Sequence, residues 1–254
     1  MKLQPFLLLC CLSAGVFSGS GVARADYDPF RVPKHQVLDL ERLIVAPIGV
    51  PVSLEGADAV VRDLENRVSE ALEQRGFRVL PSAHYLRVRN DLAEKMGGLY
   101  DPVTGEADAE KLELSNEHTR DRLSGALGVD GVVFVWVTNG PTRVWKEGRV
   151  WQAAEGALAW GGEPLHEKNS NRPTRADANF LNVEIVSVDH RPLYEIGLPI
   201  EWTAVYRLQS REVRPRSALF ADPKRLEEVV SAIFRHLDER AALPARTATA
   251  GASD

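Results

Sequence analysis

The segment Val132–Val137 constrains the fold more than any other part of the chain. It reads VVFVWV, follows Gly131 and precedes Asn139, Gly140 and Pro141. A strand with one face in water alternates polar and apolar residues, whereas this run has no polar residue, and its valines disfavour a helix. The run therefore predicts a strand that is buried on both faces, with Trp136 in the core. A sheet must pass through this point with other elements packed on each side.

Strands and helices alternate ahead of this segment. The 57–75 region places apolar residues at helical spacing, and Gly76 follows where a left-handed cap favours glycine. The patterns predict strands at 42–48 and 77–80, helices at 57–75, 82–96 and 111–128, and a loop at 99–109. A strand, a helix and a strand at this spacing indicate a βαβ-like unit.

The pattern changes after the central strand. Arg143-Val144-Trp145 recurs as Arg149-Val150-Trp151, which predicts a hairpin that turns at Gly148. We expect a loop at 161–175, a strand at 180–188, a turn at 189–192, one or two strands within 193–208, and a closing helix that Asp222 caps. The chain is therefore predicted to form one α+β domain over residues 41–240. Its mixed β-sheet has helices packed on it, a βαβ-like amino-terminal half and an antiparallel meander.

The amino terminus has the features of a secretory signal peptide. Lys2 is basic, Phe6–Phe17 is mostly apolar, and Ala23-Arg24-Ala25 fits the small-x-small cleavage rule. The apolar stretch is shorter than the roughly 18 residues that a membrane span requires. We expect cleavage after Ala25, a periplasmic location, an extended leader at 26–40 and a disordered tail at 241–254.

Two further consequences follow from the expected cleavage. Cys10 and Cys11 are the two cysteines of the chain, and both lie in the signal segment. A lipid-modified cysteine needs a small residue before it, but Leu9 precedes Cys10, so a lipoprotein is the less favoured alternative. Loss of Lys2 and Arg24 takes the formal charge from −5 to −7, which argues against a nucleic-acid partner.

The order of these segments resembles a group of bacterial envelope domains. LIVAPIGVPV, EALEQRGFRVLP and LGVDGVVFVWV carry the resemblance, over residues 42–80 and 123–138, with a vaguer match from 180 to 240. The group includes the curli-secretion lipoprotein, the amino-terminal domain of the Tol-system propeller protein and the lipoprotein activators of penicillin-binding proteins. The resemblance implies a small mixed sheet and binding of other envelope components without catalysis. The chain departs from this group in two ways. It lacks a convincing lipid-attachment site, and its 82–122 segment is longer than the group's pattern requires.

No catalytic, metal or cofactor signature is visible in the sequence. The Asp101–Glu110 loop gathers four carboxylates, but without the spacing of a calcium loop, so a solvated acidic loop is favoured. No two histidines are four residues apart on a helix. Asp189-His190 precedes Arg191-Pro192 and is expected in a turn. We therefore predict no catalytic residues, metal ligands or cofactor. A hydrolase assembled from Asp189, His190 and the acidic loop stays open.

The hairpin is the predicted binding surface. Trp136, Trp145, Trp151 and Trp160 fall close together among basic residues, and flat aromatics beside guanidinium groups suit a partner or a sugar. Cross-strand aromatic pairing is the structural alternative. We predict a non-enzymatic accessory protein that binds an envelope protein or a cell-wall component. The predicted contact residues are Arg143, Trp145, Arg149 and Trp151. A hydrolase and a binding protein for a glycan or small ligand are the alternatives.

Overall fold

A seven-stranded mixed sheet forms the centre of the structure, in the order β2-β1-β3-β5-β6-β7, with β4 paired to the end of β3. The computed structural model describes residues 28–51, 54, 56–101, 104–106, 108–147, 150–153, 174–206 and 210–241. The strands are β1 Arg42–Val45, β2 Arg78–Leu80, β3 Gly131–Glu147, β4 Val150–Ala153, β5 Thr174–Ser187, β6 Pro192–Tyr206 and β7 Arg211–Val213. This is the predicted single-domain α+β class.

The helices begin and end at residues whose chemistry suits those positions. Asp108 and Asp222 cap two of them with side-chain oxygens that accept backbone N–H bonds, and Gly128 ends the first of these in the left-handed conformation. Gly76 is also left-handed, as predicted. The helices are α1 Lys34–Leu38, α2 Ala57–Glu73, α3 Ser82–Lys95, α4 Ala109–Leu127, α5 Pro223–Phe234 and α6 Asp238–Ala241, with 3₁₀ turns at Arg216–Ala218 and Arg235–Leu237.

Parallel and antiparallel pairing meet at β3. β1 pairs in parallel with both β2 and β3, with α2 in the connection between β1 and β2. β3, β5, β6 and β7 pair antiparallel, and β3 and β4 form the predicted hairpin. The change from helix-separated strands to consecutive strands in the sequence thus corresponds to the change in strand direction.

Two cores lie on the two faces of the sheet. On the face covered by α2 and α5, Val133, Val135 and Val137 pack with residues of β5, β6 and both helices. On the face covered by α3 and α4, Val132 belongs to a smaller cluster that also contains Tyr85. The prediction that Trp136 lies in the core was wrong. Trp136 is half-buried, because the cluster under α3 and α4 ends at the half-buried Phe134.

Two strands are longer than predicted. β3 continues through Asn139, Gly140 and Pro141, which the sequence indicated as a turn, and β5 begins at Thr174 rather than at residue 180. Pro141 pairs with Asp177 of β5, while among the described residues β3 has no partner on its other side between the Gly49 bridge and β4. A residue without an N–H group is tolerated where a strand has one neighbour.

Three separate elements cover the outer edge of β6. Residues 29–31 hydrogen-bond to Leu193 and Glu195, Arg225 donates to the carbonyls of Pro199 and Ile200, and β7 pairs with the end of the strand. Residues 29–31 belong to the leader, which contains the helix α1 and is therefore not fully extended. An edge blocked in this way does not offer a long template for pairing with another chain.

None of the helices described by the structure is long and apolar enough to cross a membrane.

The core under α5 should dominate stability. Ile233 is fully buried in the cluster, whereas Glu227 of the same helix is exposed. We expect Ile233→Ala to lower the free energy of unfolding by about 2–5 kcal/mol through lost burial and a residual cavity. The matched control Glu227→Ala should change it by no more than about 0.5 kcal/mol. Urea unfolding monitored by tryptophan fluorescence measures both, and equal stabilities would contradict this description of the core.

Candidate functional site

The end of the sheet that carries the β3–β4 hairpin also carries a row of arginines. The register places Arg143 of β3 opposite Arg175 of β5, and Tyr206 of β6 opposite Arg211 of β7. The guanidinium group of Arg175 contacts the ring of Tyr206, which joins the two pairs into one line across four strands. We call Arg143, Arg175, Tyr206 and Arg211 the arginine row.

Tyr206 holds two guanidinium groups against its ring. The guanidinium carbons of Arg175 and Arg211 lie 5.5 and 5.4 Å from the ring centroid, in the range of cation–π attraction. The two arginines come from the strands on either side of β6 and lie within about 11 Å of each other by these distances. Both side chains are exposed. The ring therefore orders two positive charges that face solvent.

Asp177 fixes the hydroxyl end of the same tyrosine. The Tyr206 hydroxyl donates a hydrogen bond to Oδ2 of Asp177. This bond, followed by desolvation and the negative charge of Asp177, raises the pKa of Tyr206 above its usual value. The phenol stays protonated at neutral pH, so the hydrogen bond and the ring orientation persist. A carboxylate acceptor therefore lies beside the guanidinium donors of the row.

A polar network continues from this row along the same face of the sheet. The β5–β6 ladder has two register shifts within residues 177–180, where bulges bend a strand and redirect its side chains. Nδ2 of Asn139 donates to Oδ1 of Asn179 at 3.1 Å and to Oγ1 of Thr203 at 2.8 Å. Nδ2 of Asn179 in turn lies 3.5 Å from Oε1 of Glu201. Amide and hydroxyl groups thus connect the surface to a buried carboxylate.

Glu201 connects this network to the segment that carries β7. It is only 8% exposed, and burial raises the pKa of its carboxyl group. Its Oε1 accepts the backbone N–H of Phe220 at 2.9 Å, and its Oε2 lies 3.5 Å from Nη2 of Arg214. Phe220 has a φ of 57°, an uncommon conformation for a bulky residue. The Arg214 guanidinium also lies 5.7 Å from the ring of Trp202. These contacts hold residues 211–220 against β6.

Three of the four predicted partner-binding residues lie in strands that the structure describes, and one of them, Arg143, is part of the arginine row. Arg143 and Trp145 lie in β3, Trp151 lies in β4, and Arg149 is outside the described residues. The register pairs Trp145 with Gln152, and Trp151 with Lys146, so the two tryptophans are not directly opposite one another. The hairpin is confirmed, while the partner-binding role of these residues stays a prediction.

Asp189 and His190 form the predicted turn, and their contacts are local. Asp189 accepts a bond from Nε of Arg191 at 2.8 Å, and its pKa is lowered, mainly by a hydrogen bond with Ser187. His190 has a φ of 67°, and its Nε2 lies 4.0 Å from Oδ1 of Asp121 on α4. The two neighbours therefore face different partners rather than forming a base with its orienting carboxylate.

The acidic residues of the 101–110 loop serve backbone groups. Oδ1 of Asp101 accepts the N–H of Thr104 at 2.8 Å, and Oδ1 of Asp108 accepts the N–H of Lys111 at 3.1 Å. These are the contacts of a turn and of a helix cap. Within the part of the chain that the structure describes, no three His, Cys, Asp or Glu side chains are grouped in a way that suits a metal ion.

Sequence reasoning missed most of the row. The sequence predicts Arg175 in a loop at 161–175, and no pattern in it indicates a role for Tyr206, Arg211 or Glu201. A signal for the start of β5 was present, because residues 174–179 read TRADAN, with Arg175, Asp177 and Asn179 alternating with alanine. Strict alternation of this kind is typical of a strand with one polar face. The contact between strands distant in sequence had no comparable signal.

Comparisons with known proteins give only weak likenesses. No protein-family model matches the chain. No curated protein matches it either. Among solved structures, a neuraminyllactose-binding hemagglutinin homolog from Helicobacter pylori has a TM-score of 0.31 and 9% identity, covering 79% of this chain and 85% of that one. The PelC dodecamer from Paraburkholderia phytofirmans, in two crystal forms, has TM-scores of 0.33 and 0.34 and identities of 9% and 7%. These alignments cover 78% and 83% of this chain and 87% and 95% of PelC. At such TM-scores they assign neither family nor function.

The buried carboxyl group of Glu201 should make stability depend on pH. Its pKa is raised in the folded state, so its contribution is fully present below the unfolded pKa and is lost as the pH rises through the folded pKa. Glu201→Gln keeps an acceptor for Phe220 but does not ionise. We expect the stability of the variant relative to the natural protein to increase as pH rises across this window, measured by urea unfolding at several pH values. A pH-independent difference between the two proteins would contradict the assignment.

Proposed function

We propose that the protein is an exported, non-enzymatic accessory protein that binds another component of the bacterial cell envelope. The signal-peptide features of residues 1–25 support export to the periplasm. The resemblance to envelope domains that act by binding supports the accessory role. The binding surface is the end of the sheet formed by the arginine row and the β3–β4 hairpin.

The arginine row is the observation that carries this proposal. Arg175 and Arg211 are exposed, ordered against Tyr206, and make no ion pair among the described residues. Arginine and tyrosine are the residues that most often dominate binding energy at interfaces. A side chain that is already ordered loses less conformational entropy on binding, which favours affinity. A basic row on a chain with a net charge of −5 is also a local departure from the overall charge.

The hairpin extends the same surface. Arg143 occupies the β3 position of the row, and Trp145 follows two residues later in the strand. The β4 strand, which contains Trp151, lies against β6 as well as pairing with β3, so this end of the sheet is curled. Arg143 and Trp145 are alternate positions of β3 and extend the row, whereas Trp151 pairs with Lys146, a position of the other face of the hairpin.

Replacement of the ordered arginines tests the surface directly. We expect Arg175→Ala combined with Arg211→Ala to abolish most cross-linking of the tagged protein to its envelope component in native envelopes, because both solvent-facing guanidinium groups are lost. Arg191→Ala is the matched control, since Arg191 is an exposed arginine in the turn at the opposite end of β5 and β6. Captured components are identified by mass spectrometry and glycan analysis. Equal capture by the double variant and the control would exclude the row as the contact surface.

The hairpin requires its own variant. Trp145→Ala with Trp151→Ala should reduce capture if the aromatic residues contact the component, because truncation of aromatic anchors typically costs more than tenfold in affinity. Circular dichroism and thermal unfolding must first show that the variant is folded. Undiminished capture by a folded double variant would restrict the surface to the arginine row.

A further inference from the structure

We propose that the arginine row binds an acidic glycan, a polymer whose sugars carry both carboxylate and hydroxyl groups. This inference rests on the proposed function and names the chemical class of the envelope component. It depends on three observations: the ordered pair of guanidinium groups, the polar groups on the same face of the sheet, and the course of the row across four strands.

The guanidinium groups supply the charge recognition. Arg175 and Arg211 flank the ring of Tyr206 at 5.5 and 5.4 Å, so their positions are coupled through one side chain. A planar guanidinium binds a carboxylate through two parallel N–H bonds, and its charge persists at every physiological pH. Glu212 lies next to Arg211 in the sequence, but its register partner is Val205, so it projects from the opposite side of the ladder. The positive charge on this face is therefore not neutralised by its neighbour.

The groups beside the arginines distinguish a glycan from other polyanions. Asp177 lies beside the row, where its carboxylate accepts a hydrogen bond from the hydroxyl of Tyr206. A carboxylate can accept hydrogen bonds from hydroxyl groups, which an acidic glycan has on every sugar and a polymer such as poly-L-glutamate lacks. Asn139 is exposed, lies four residues before Arg143 in β3 and donates to Thr203, so amide and hydroxyl groups lie farther along the same face. Convergent amide, hydroxyl and carboxylate groups are the set that recognises a hydroxylated ligand.

The course of the row suits an extended polymer. Its four positions lie on β3, β5, β6 and β7, so the row runs across the strands. Neighbouring strands are about 4.8 Å apart, and cations from β5 and β7 are therefore separated by about two strand spacings. A chain lying along the row can place carboxylates of non-adjacent sugars on the two guanidinium groups and direct the intervening hydroxyls toward Asp177. Two weak carboxylate contacts on one chain then reinforce each other.

Calorimetric titration with polygalacturonate tests this inference. The matched ligand is the fully methyl-esterified polymer, which keeps the hydroxyl groups and removes the charge. We expect binding of polygalacturonate that weakens with added salt, and at least tenfold weaker binding of the ester. Arg175→Gln and Arg211→Gln should each lower the affinity about tenfold, while Arg191→Gln should leave it unchanged.

A second polymer and the cross-linking experiment define the outcomes that would contradict the proposal. Poly-L-glutamate has the same charge type without sugar hydroxyls, and equal or tighter binding of it would replace the glycan with an acidic peptide as the ligand. Failure to bind polygalacturonate, together with cross-linking to an envelope protein that requires Arg175 and Arg211, would overturn the glycan assignment and leave the proposed function intact. If the natural protein neither binds the polymer nor cross-links to an envelope component, both the glycan assignment and the proposed function are overturned.

Tyr206 provides a test of the ordering. Tyr206→Phe keeps the ring between the guanidinium groups, whereas Tyr206→Leu removes the cation–π contacts. We expect the phenylalanine variant to retain most of the affinity for polygalacturonate and the leucine variant to lose it severalfold, although neither changes the net charge. Equal affinities of the two variants would show that the ring does not order the site.

Discussion

The pairing of β3 with β5 is the interaction on which the rest of the structure depends. The ladder runs without a register shift from Gly131 opposite Ser187 to Val144 opposite Thr174. One end of it lies between two cores, where Val132 faces the α3/α4 cluster and Val133 faces the α2/α5 cluster. The other end carries the candidate site. A one-residue slip in this register would exchange the faces of β3 relative to β5 and take Arg143 out of line with Arg175.

The β3–β5 ladder has no register shift, whereas the β5–β6 ladder does. The two register shifts opposite residues 177–180 lie between the apolar core and the arginine row, where Asn179 and Glu201 are buried. Buried polar groups are costly unless they are hydrogen-bonded. Here Asn139 donates to Asn179, and Asn179 and the Phe220 N–H donate to Glu201. The bulges therefore mark the change from an apolar packing surface to a polar one within a single strand.

Local patterns predicted most elements, whereas contacts between distant strands were not predictable. The central strand, α2, α4, the hairpin and α5 each have a local sequence signal, such as the apolar run of Val132–Val137, Gly76 after α2 or Asp222 before α5. The turn predicted at Asn139-Gly140-Pro141 was wrong because these residues also fit a strand that pairs on one side only. A single sequence does not show how many strands pair with a given segment. The arginine row depends on the register of four strands, and its members outside β5, Tyr206 and Arg211, lie 63 and 68 positions after Arg143 in the sequence.

The negative charge of Glu201 attracts Arg214, which a neutral residue at this position would not do. An amide at this position would accept the Phe220 N–H without the desolvation penalty that raises the pKa of the carboxyl group. The carboxylate adds attraction for Arg214, which lies over Trp202 and donates to the carbonyl of Ala218. Arg214 directly follows β7, so this attraction holds the strand that carries Arg211. The buried charge thus lowers the stability of the fold at neutral pH, and the same charge positions one of the two guanidinium groups of the candidate site.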